Sequence, residues 1–327
     1  MTLGYTIFYM NPSASAEVCE IIREQMPHGW HFTLPGTNRE FLTGLASCDF
    51  ILVADQAILA EHIAAAPRLR MIQHQGVGYE RIDLQACRSR GIPVAITPEG
   101  TSIGVAEHTL LLILAIYKHL IKASAALQTG RWLQWELRST SFDLQGKILG
   151  LVGMGRIGRA VAQRALAFGA RILYFDPAVP DPEDLSVTRA ASLEALLTQA
   201  DIVSLHVPLS PENRHLIDRR ALHIMKPTAM LVNTARGGLV DEIALAEALT
   251  SGRIAAAALD VLAQEPPAPD NPLLHLENVL VTPHIASGSR DTLIAKMQSA
   301  FANMVRHTLG RPLVNVVPEL ADLSRVE

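Results

Sequence analysis

The stretch KILGLVGMGRIGRAVAQRALAFG (147–169) decides how the rest of the chain is read. It holds Gly153-Met154-Gly155-Arg156-Ile157-Gly158, a G-x-G-x-x-G, between an apolar run that reads as a strand (148–152) and a helical pattern (159–167). A second apolar run, 171–175, ends in Asp176, 18 residues past Gly158. The short glycine pattern is weak evidence alone, and its setting gives it meaning. The first glycine permits a tight turn, the second lets backbone approach a pyrophosphate, and the third lets the helix pack close to the strand. The positive end of the helix then faces the phosphates. A carboxylate at Asp176 suits the two hydroxyls of an adenosine ribose and repels a 2′-phosphate, so NAD is the expected cofactor.

Downstream, apolar runs at 202–205, 229–232, 255–259 and 279–282 alternate with helical patterns, predicting a six-stranded doubly wound sheet. Upstream the same alternation occurs: strands at 5–9, 50–54, 71–73 and 93–96, with helices at 14–25, 58–65 and 84–90. Most of these strands are continuously apolar, as in parallel sheets covered on both faces. Between the two series a long helix is expected over 102–127 with Ser102 as N-cap, and a last helix over 291–310, stopped by Gly310-Arg311-Pro312. The expected fold class is α/β with two doubly wound parallel-sheet domains.

The 327 residues suffice for two cores. Lys plus Arg is 28 and Asp plus Glu 32, a net charge of −4 without a basic run, which argues against a nucleic-acid surface. Cys19, Cys48 and Cys87 form no CxxC pair, so neither a disulfide framework nor structural zinc is expected, and a reducing, cytoplasmic setting fits. The longest apolar run, 110–117, is short for a bilayer, so no membrane partner is expected.

In open parallel sheets ligands sit beyond the carboxyl ends of the strands. There the chain carries His206, then Asn233, Thr234 and Arg236 followed by Gly237-Gly238, then Asp260 with Glu265 five residues on, then Pro283 and His284. Reducing a ketone requires a proton donor and stabilisation of charge on oxygen. His284 is the natural acid/base, Glu265 in a proline-rich loop a partner that orients it and raises its pKa, and Arg236 a planar fork for a substrate carboxylate. The Gly-Gly pair behind Arg236 suggests close approach to a ligand. His206, with no acid close behind it, reads as a structural or cofactor-wall residue.

The motifs GVGYERIDL (76–84), GVAEHTL (104–110), GLVGMGRIG (150–158), LVNTARGGLVDE (231–242), ALDVLAQEPP (258–267) and VTPHIASG (281–288) together resemble the D-isomer-specific 2-hydroxyacid dehydrogenases, from about residue 50 to 316. The resemblance implies a Rossmann NAD-binding domain (102–288) inserted in a flavodoxin-like substrate domain (1–101 and 289–327). It implies Arg236, Glu265 and His284 as the catalytic set and hydride transfer between NAD(H) and a small 2-keto or D-2-hydroxy acid, of the glyoxylate/hydroxypyruvate reductase or short phosphoglycerate dehydrogenase kind. Gly153, Gly155, Arg156, Ile157 and Gly158 would meet the pyrophosphate, and Asp176 the ribose. His206, Val207, Pro208, Thr234, Ala235 and Asp260, with Arg236 and His284, would line the cofactor. Gly76, Val77 and Gly78 would bind the substrate carboxylate through backbone N–H groups, beside Arg236 and His284. The long helix from Ser102 would be a hinge and part of a homodimer interface. Trp132 and Trp135, at helical spacing, are expected in a dimer-face core, where relatives can reach the neighbouring pocket. The alternative reading is an NAD(H)-sensing binding protein of the same fold. An L-lactate or malate type of dehydrogenase is disfavoured, because its glycine turn lies near the N-terminus.

Overall fold

The computed structural model describes residues 4–36, 38–54, 56–180 and 182–325. They form two compact units: one runs to Thr101 and resumes at Ser289, the other spans Ser102–Gly288. The expected bounds at residues 1 and 327 lie outside the described residues.

The first unit is a five-stranded sheet of β1 (Thr6–Met10), β2 (His31–Thr33), β3 (Phe50–Val53), β4 (Met71–His74) and β5 (Val94–Ala95). All pair in parallel, in the order β2-β1-β3-β4-β5, a flavodoxin-like winding. On one face Phe8, Met10, Ile51, Val53, Ile72 and Val94 build a core. On the other, Ile7, Tyr9, Phe50, Leu52 and Met71 meet Met297, Phe301 and Met304 of the last helix. Strand residues that alternate between two buried faces explain why β1 and β3 are largely apolar and why β4 is buried throughout, its polar Gln73 and His74 included.

The second unit holds seven parallel strands: β6 (Ile148–Val152), β7 (Arg171–Phe175), β8 (Val187–Arg189), β9 (Ile202–Leu205), β10 (Met230–Asn233), β11 (Ala256–Leu259) and β12 (Val279–Val281). The order is β12-β11-β10-β9-β6-β7-β8, a Rossmann winding whose direction reverses between β6 and β9. Its parallel pairs carry the polar residues that follow β6, β7, β9, β10, β11 and β12 to one edge of the sheet.

The helices are α1 (Ala16–Gln25), α2 (Asn38–Ser47), α3 (Ala60–Ala64), α4 (Leu84–Ser89), α5 (Thr101–Tyr117), α6 (Leu120–Gln128), α7 (Arg156–Ala167), α8 (Leu193–Gln199), α9 (Arg219–Ile224), α10 (Glu242–Thr250) and α11 (Arg290–Thr308). Three expectations are corrected. The long helix is two, broken where His119 takes a left-handed φ of 47° and its Nε2 meets the Thr140 carbonyl at 3.0 Å. Ser102 is not its N-cap, because α5 already includes Thr101. Trp132 and Trp135 lie in the turns after α6 rather than on a helix, exposed at 69% and 67% in the single chain. The strands β2 and β8 and the helix α2 were not anticipated. Among the described residues no single helix is long and apolar enough to cross a membrane.

Candidate active site

The glycine turn occupies the loop from β6 to α7. Gly153 has φ of 99°, and a Cβ there would sit 2.5 Å from the His206 carbonyl oxygen, so only glycine fits. At Gly158 a Cβ would lie 2.2 Å from the Gly153 carbonyl oxygen, which shows how tightly the helix packs on the turn. Gly155 caps α7 without a side chain, and a Cβ there would meet nothing within 4 Å. The N–H groups of Arg156 and Ile157 have no protein acceptor among the described residues. A backbone cradle with open space before it and free donors at a twelve-residue helix start fits a pyrophosphate.

Asp176, at the end of β7, is 8% exposed. Its Oδ2 accepts from Met154 N at 2.8 Å, and its Oδ1 accepts from Ala178 N and Val179 N at 2.9 and 3.1 Å. The carboxylate therefore ties the glycine turn to the neighbouring strand and keeps one lone-pair direction for a ribose hydroxyl. Arg189 of β8 donates to the Asp176 carbonyl and lies over the Tyr174 ring. His206 closes the turn from β9, its Nε2 2.9 Å from Ser204 Oγ. Burial pushes its pKa down to about 3, so the ring is neutral and belongs to the wall. Val207 packs against the core that Val152, Val203, Leu205, Leu231 and Leu259 build in the seven-stranded unit, and Pro208 accepts from Asn213 through its carbonyl.

At β10, β11 and β12 the predicted strand-end residues come together. His284 Nδ1 lies 2.8 Å from Glu265 Oε2, and the other Glu265 oxygen accepts from Leu262 N at 3.1 Å. The hydrogen bond to Glu265 raises the His284 pKa against the opposing effect of burial, with Asp260 adding to the rise and the Arg236 charge opposing it. For Glu265, burial pushes upward, but the hydrogen bond and the charge of His284 prevail and hold the carboxyl below its usual value. The pair is half-exposed, so His284 Nε2 remains open to a ligand.

Around the dyad a buried frame holds each loop. Asp260, 1% exposed, accepts from Thr282 Oγ1 at 2.6 Å, Ile285 N at 2.9 Å and Ala286 N at 2.8 Å, with His108 Nε2 3.4 Å away. Burial alone would raise its pKa, yet these donors keep it low. Asp260, expected to line the cofactor, accepts from protein donors and suspends the loop that carries His284, which adopts φ of 53°. Asn233, also 1% exposed, donates to the Arg236 carbonyl at 2.9 Å and accepts from Ala235 N at 3.0 Å. Thr234 Oγ1 lies 3.1 Å from Thr109 Oγ1, and Arg236 donates to the Ala235 carbonyl at 2.8 Å.

The glycine pair after Arg236 has a different reason than ligand approach. A Cβ on Gly237 would lie 2.0 Å from the Leu262 carbonyl carbon and 2.3 Å from Ala263 N; one on Gly238 would meet Leu209. The close approach is between two protein loops, and it brings Arg236 beside the segment that carries Glu265. His108, Thr109 and Thr282 belong to this frame and were not singled out from sequence, although His108 and Thr109 sit in the 104–110 motif.

In the first unit the 76–78 loop follows β4. Gly76 N does not face a ligand: it donates to His74 Nδ1 at 2.9 Å. The N–H groups of Val77 and Gly78 have no protein acceptor among the described residues. The expected carboxylate nest therefore offers these two donors.

A parallel-sheet edge with a phosphate-binding turn, a histidine–carboxylate dyad and a neighbouring guanidinium defines a dinucleotide-dependent oxidoreductase domain. Residues 110–286 match the D-isomer specific 2-hydroxyacid dehydrogenase, NAD binding domain. A glyoxylate reductase of Korarchaeum cryptofilum is 40% identical over 293 residues, 88% of each chain. A D-3-phosphoglycerate dehydrogenase of Methanocaldococcus jannaschii is 39% identical over 86% of this chain, which spans 54% of that protein's length. The crystal structure of the TT0316 protein from Thermus thermophilus superposes with a TM-score of 0.83 at 38% identity, over 95% of this chain and 99% of that one. The chain belongs to the D-isomer-specific 2-hydroxyacid dehydrogenase family, and the seven-stranded unit carries its nicotinamide-cofactor domain.

Proposed function

We propose that this protein reduces small 2-keto acids with NADH, giving the D-2-hydroxy acid, with His284 as acid/base, Glu265 orienting it and Arg236 holding the substrate. The observation that carries this reading is the 2.8 Å bond between His284 Nδ1 and Glu265 Oε2 at the strand ends of a nicotinamide domain. Glyoxylate and hydroxypyruvate are the first candidate substrates. The cofactor, when bound, supplies the hydride.

The protein's own part is to hold and move a proton. With Nδ1 engaged by Glu265, the His284 ring presents Nε2 to the keto oxygen, and its raised pKa keeps imidazolium available near neutrality. The Arg236 fork offers paired donors to a carboxylate and to the oxygen that gains charge. In the oxidative direction neutral His284 takes the proton, so the two directions favour opposite sides of its pKa.

The Asp176 carboxylate supports NAD over NADP, since a 2′-phosphate beside it meets like charge. The exposed Leu120, Ile121, Leu127, Trp132 and Trp135 support a second copy of the chain as partner. Three buried free thiols support a cytoplasmic setting.

The test is NADH oxidation by the pure protein against glyoxylate, hydroxypyruvate, pyruvate and 3-phosphohydroxypyruvate, repeated with NADPH. Turnover with NADH on one of them is the expected result. Tight NADH binding without turnover on any would favour the sensing alternative.

A further inference from the structure

The carboxylate loop of the first unit is held by a buried polar chain that the catalytic reading does not use. His74 ends β4 and is 8% exposed. Its Nδ1 accepts from Gly76 N at 2.9 Å, which puts the ring proton on Nε2, and the ring also meets the Ala54 backbone. Thr97 clamps both ends of the same turn: its N–H donates to the Gly76 carbonyl at 2.9 Å and its hydroxyl to the His74 carbonyl at 2.7 Å. Behind it, Gln73 Nε2 donates to Thr97 Oγ1 at 2.8 Å, and Asn303 of α11 donates to Gln73 Oε1 at 3.0 Å. Gln73, Thr97 and Asn303 are at most 2% exposed. A chain so buried and so fully bonded fixes one backbone geometry.

Its effect falls on the next two peptide groups. By taking the Gly76 N–H, the imidazole removes one donor from the nest and sets the turn from which Val77 and Gly78 present theirs. An imidazole performs this task only while Nδ1 is unprotonated. Burial, aided by the Lys296 charge from α11, keeps His74 neutral, as the Gly76 N–H on Nδ1 requires, while the Ala54 backbone and Glu80 oppose this.

We propose that His74 is a positioning residue for substrate capture: its Nδ1 holds the Gly76 N–H and so aims the Val77 and Gly78 N–H groups at the carboxylate of a 2-keto acid. This rests on the reductase reading above. Protonating His74 breaks the hold and weakens capture without touching the proton-transfer dyad.

The test uses the full chain and the best 2-keto acid of the panel. His74→Asn returns an acceptor oxygen to the place of Nδ1, whereas His74→Leu removes it. His74→Leu raises KM about ten-fold, with kcat within about three-fold and NADH affinity unchanged, and His74→Asn restores KM to within about three-fold. In the wild type KM climbs only as pH is lowered below the ordinary imidazole value of about 6.5, and in His74→Asn this climb disappears. Equal KM in all three proteins, or the same KM-against-pH profile in wild type and His74→Asn, would overturn the proposal while leaving the reductase reading in place. Should His74→Leu fail to fold, the pH comparison decides alone. A wild type that reduces no member of the panel overturns both.

Discussion

Each unit of this protein ends one parallel strand in a glycine turn, and each turn is pinned by a side-chain acceptor, but the acceptors differ in kind. In the seven-stranded unit the Met154 N–H is held at 2.8 Å by Asp176 from the neighbouring strand. In the five-stranded unit the Gly76 N–H is held at 2.9 Å by His74 from its own strand. The carboxylate also receives Ala178 and Val179, so it locks two loops together. The imidazole accepts only in its neutral form. The cofactor turn is thus held by a carboxylate with three backbone donors and the carboxylate loop by a single ring nitrogen that protonation removes as an acceptor.

Four substitutions break or sharpen this contrast. His284→Ala should have the largest effect, a loss of about 10²–10⁴ in kcat for 2-keto acid reduction. NADH affinity, followed by fluorescence titration, should stay near the wild-type value, since the residue pins neither turn. Asp176→Ala leaves three backbone N–H groups without their acceptor. NADH binding should weaken about ten-fold or more, NADPH binding should weaken less, and the KM for the keto acid at saturating NADH should not move.

Glu265→Gln should lower reduction several-fold and shift its pH profile. Glu265 raises the His284 pKa, and reduction draws on imidazolium. Activity therefore falls as pH rises through that pKa, and the fall should come at lower pH in the variant. The same signs govern stability. The contribution of Glu265, whose native pKa is lowered, is lost as pH falls through it; that of His284, whose native pKa is raised, is lost as pH rises through it. Because the pair is half-exposed, the effect on Tm should be small. Thr97→Val should be the mildest for catalysis. It removes the hydroxyl partner of the His74 carbonyl and of one Gln73 N–H, while the Gln73 amide keeps Ala95 and Asn303, costing about 1–3 kcal/mol in urea unfolding and raising the keto-acid KM a few-fold, with NADH binding unchanged.

The architecture was legible wherever burial on both faces writes itself into composition. Strands β1, β3, β6, β9, β10 and β11 are largely apolar runs because helices cover them, and the glycine turn declares its own neighbours. The omissions share a physical cause. β2 and β8 are three-residue edge strands with exposed positions, so no run or alternation marks them. The break between α5 and α6 contains neither glycine nor proline; it arises from one histidine in the left-handed region, held by a carbonyl 21 residues away.

The site divides in the same way. His284, Glu265 and Arg236 could be proposed because their chemistry suits the task and their places follow strands. Which partner supports each could not. That Asp260 suspends the His284 loop, or that Gly237 is small to admit the Leu262–Ala263 backbone, depends on contacts between segments distant in sequence.

The chain leaves its first unit at Thr101 and returns only at Ser289, so the order of synthesis differs from the order of the architecture. Helix α11, whose Met297, Phe301 and Met304 complete one face of the five-stranded sheet, is made after the whole of the second unit. At about 5–20 residues per second, a nascent chain carries that sheet with one side covered only in part, by α1, for roughly 10–40 s, while the inserted unit can already close. During that interval the apolar face of β1, β3 and β4 is a surface on which a chaperone can act, and the mature fold no longer displays it.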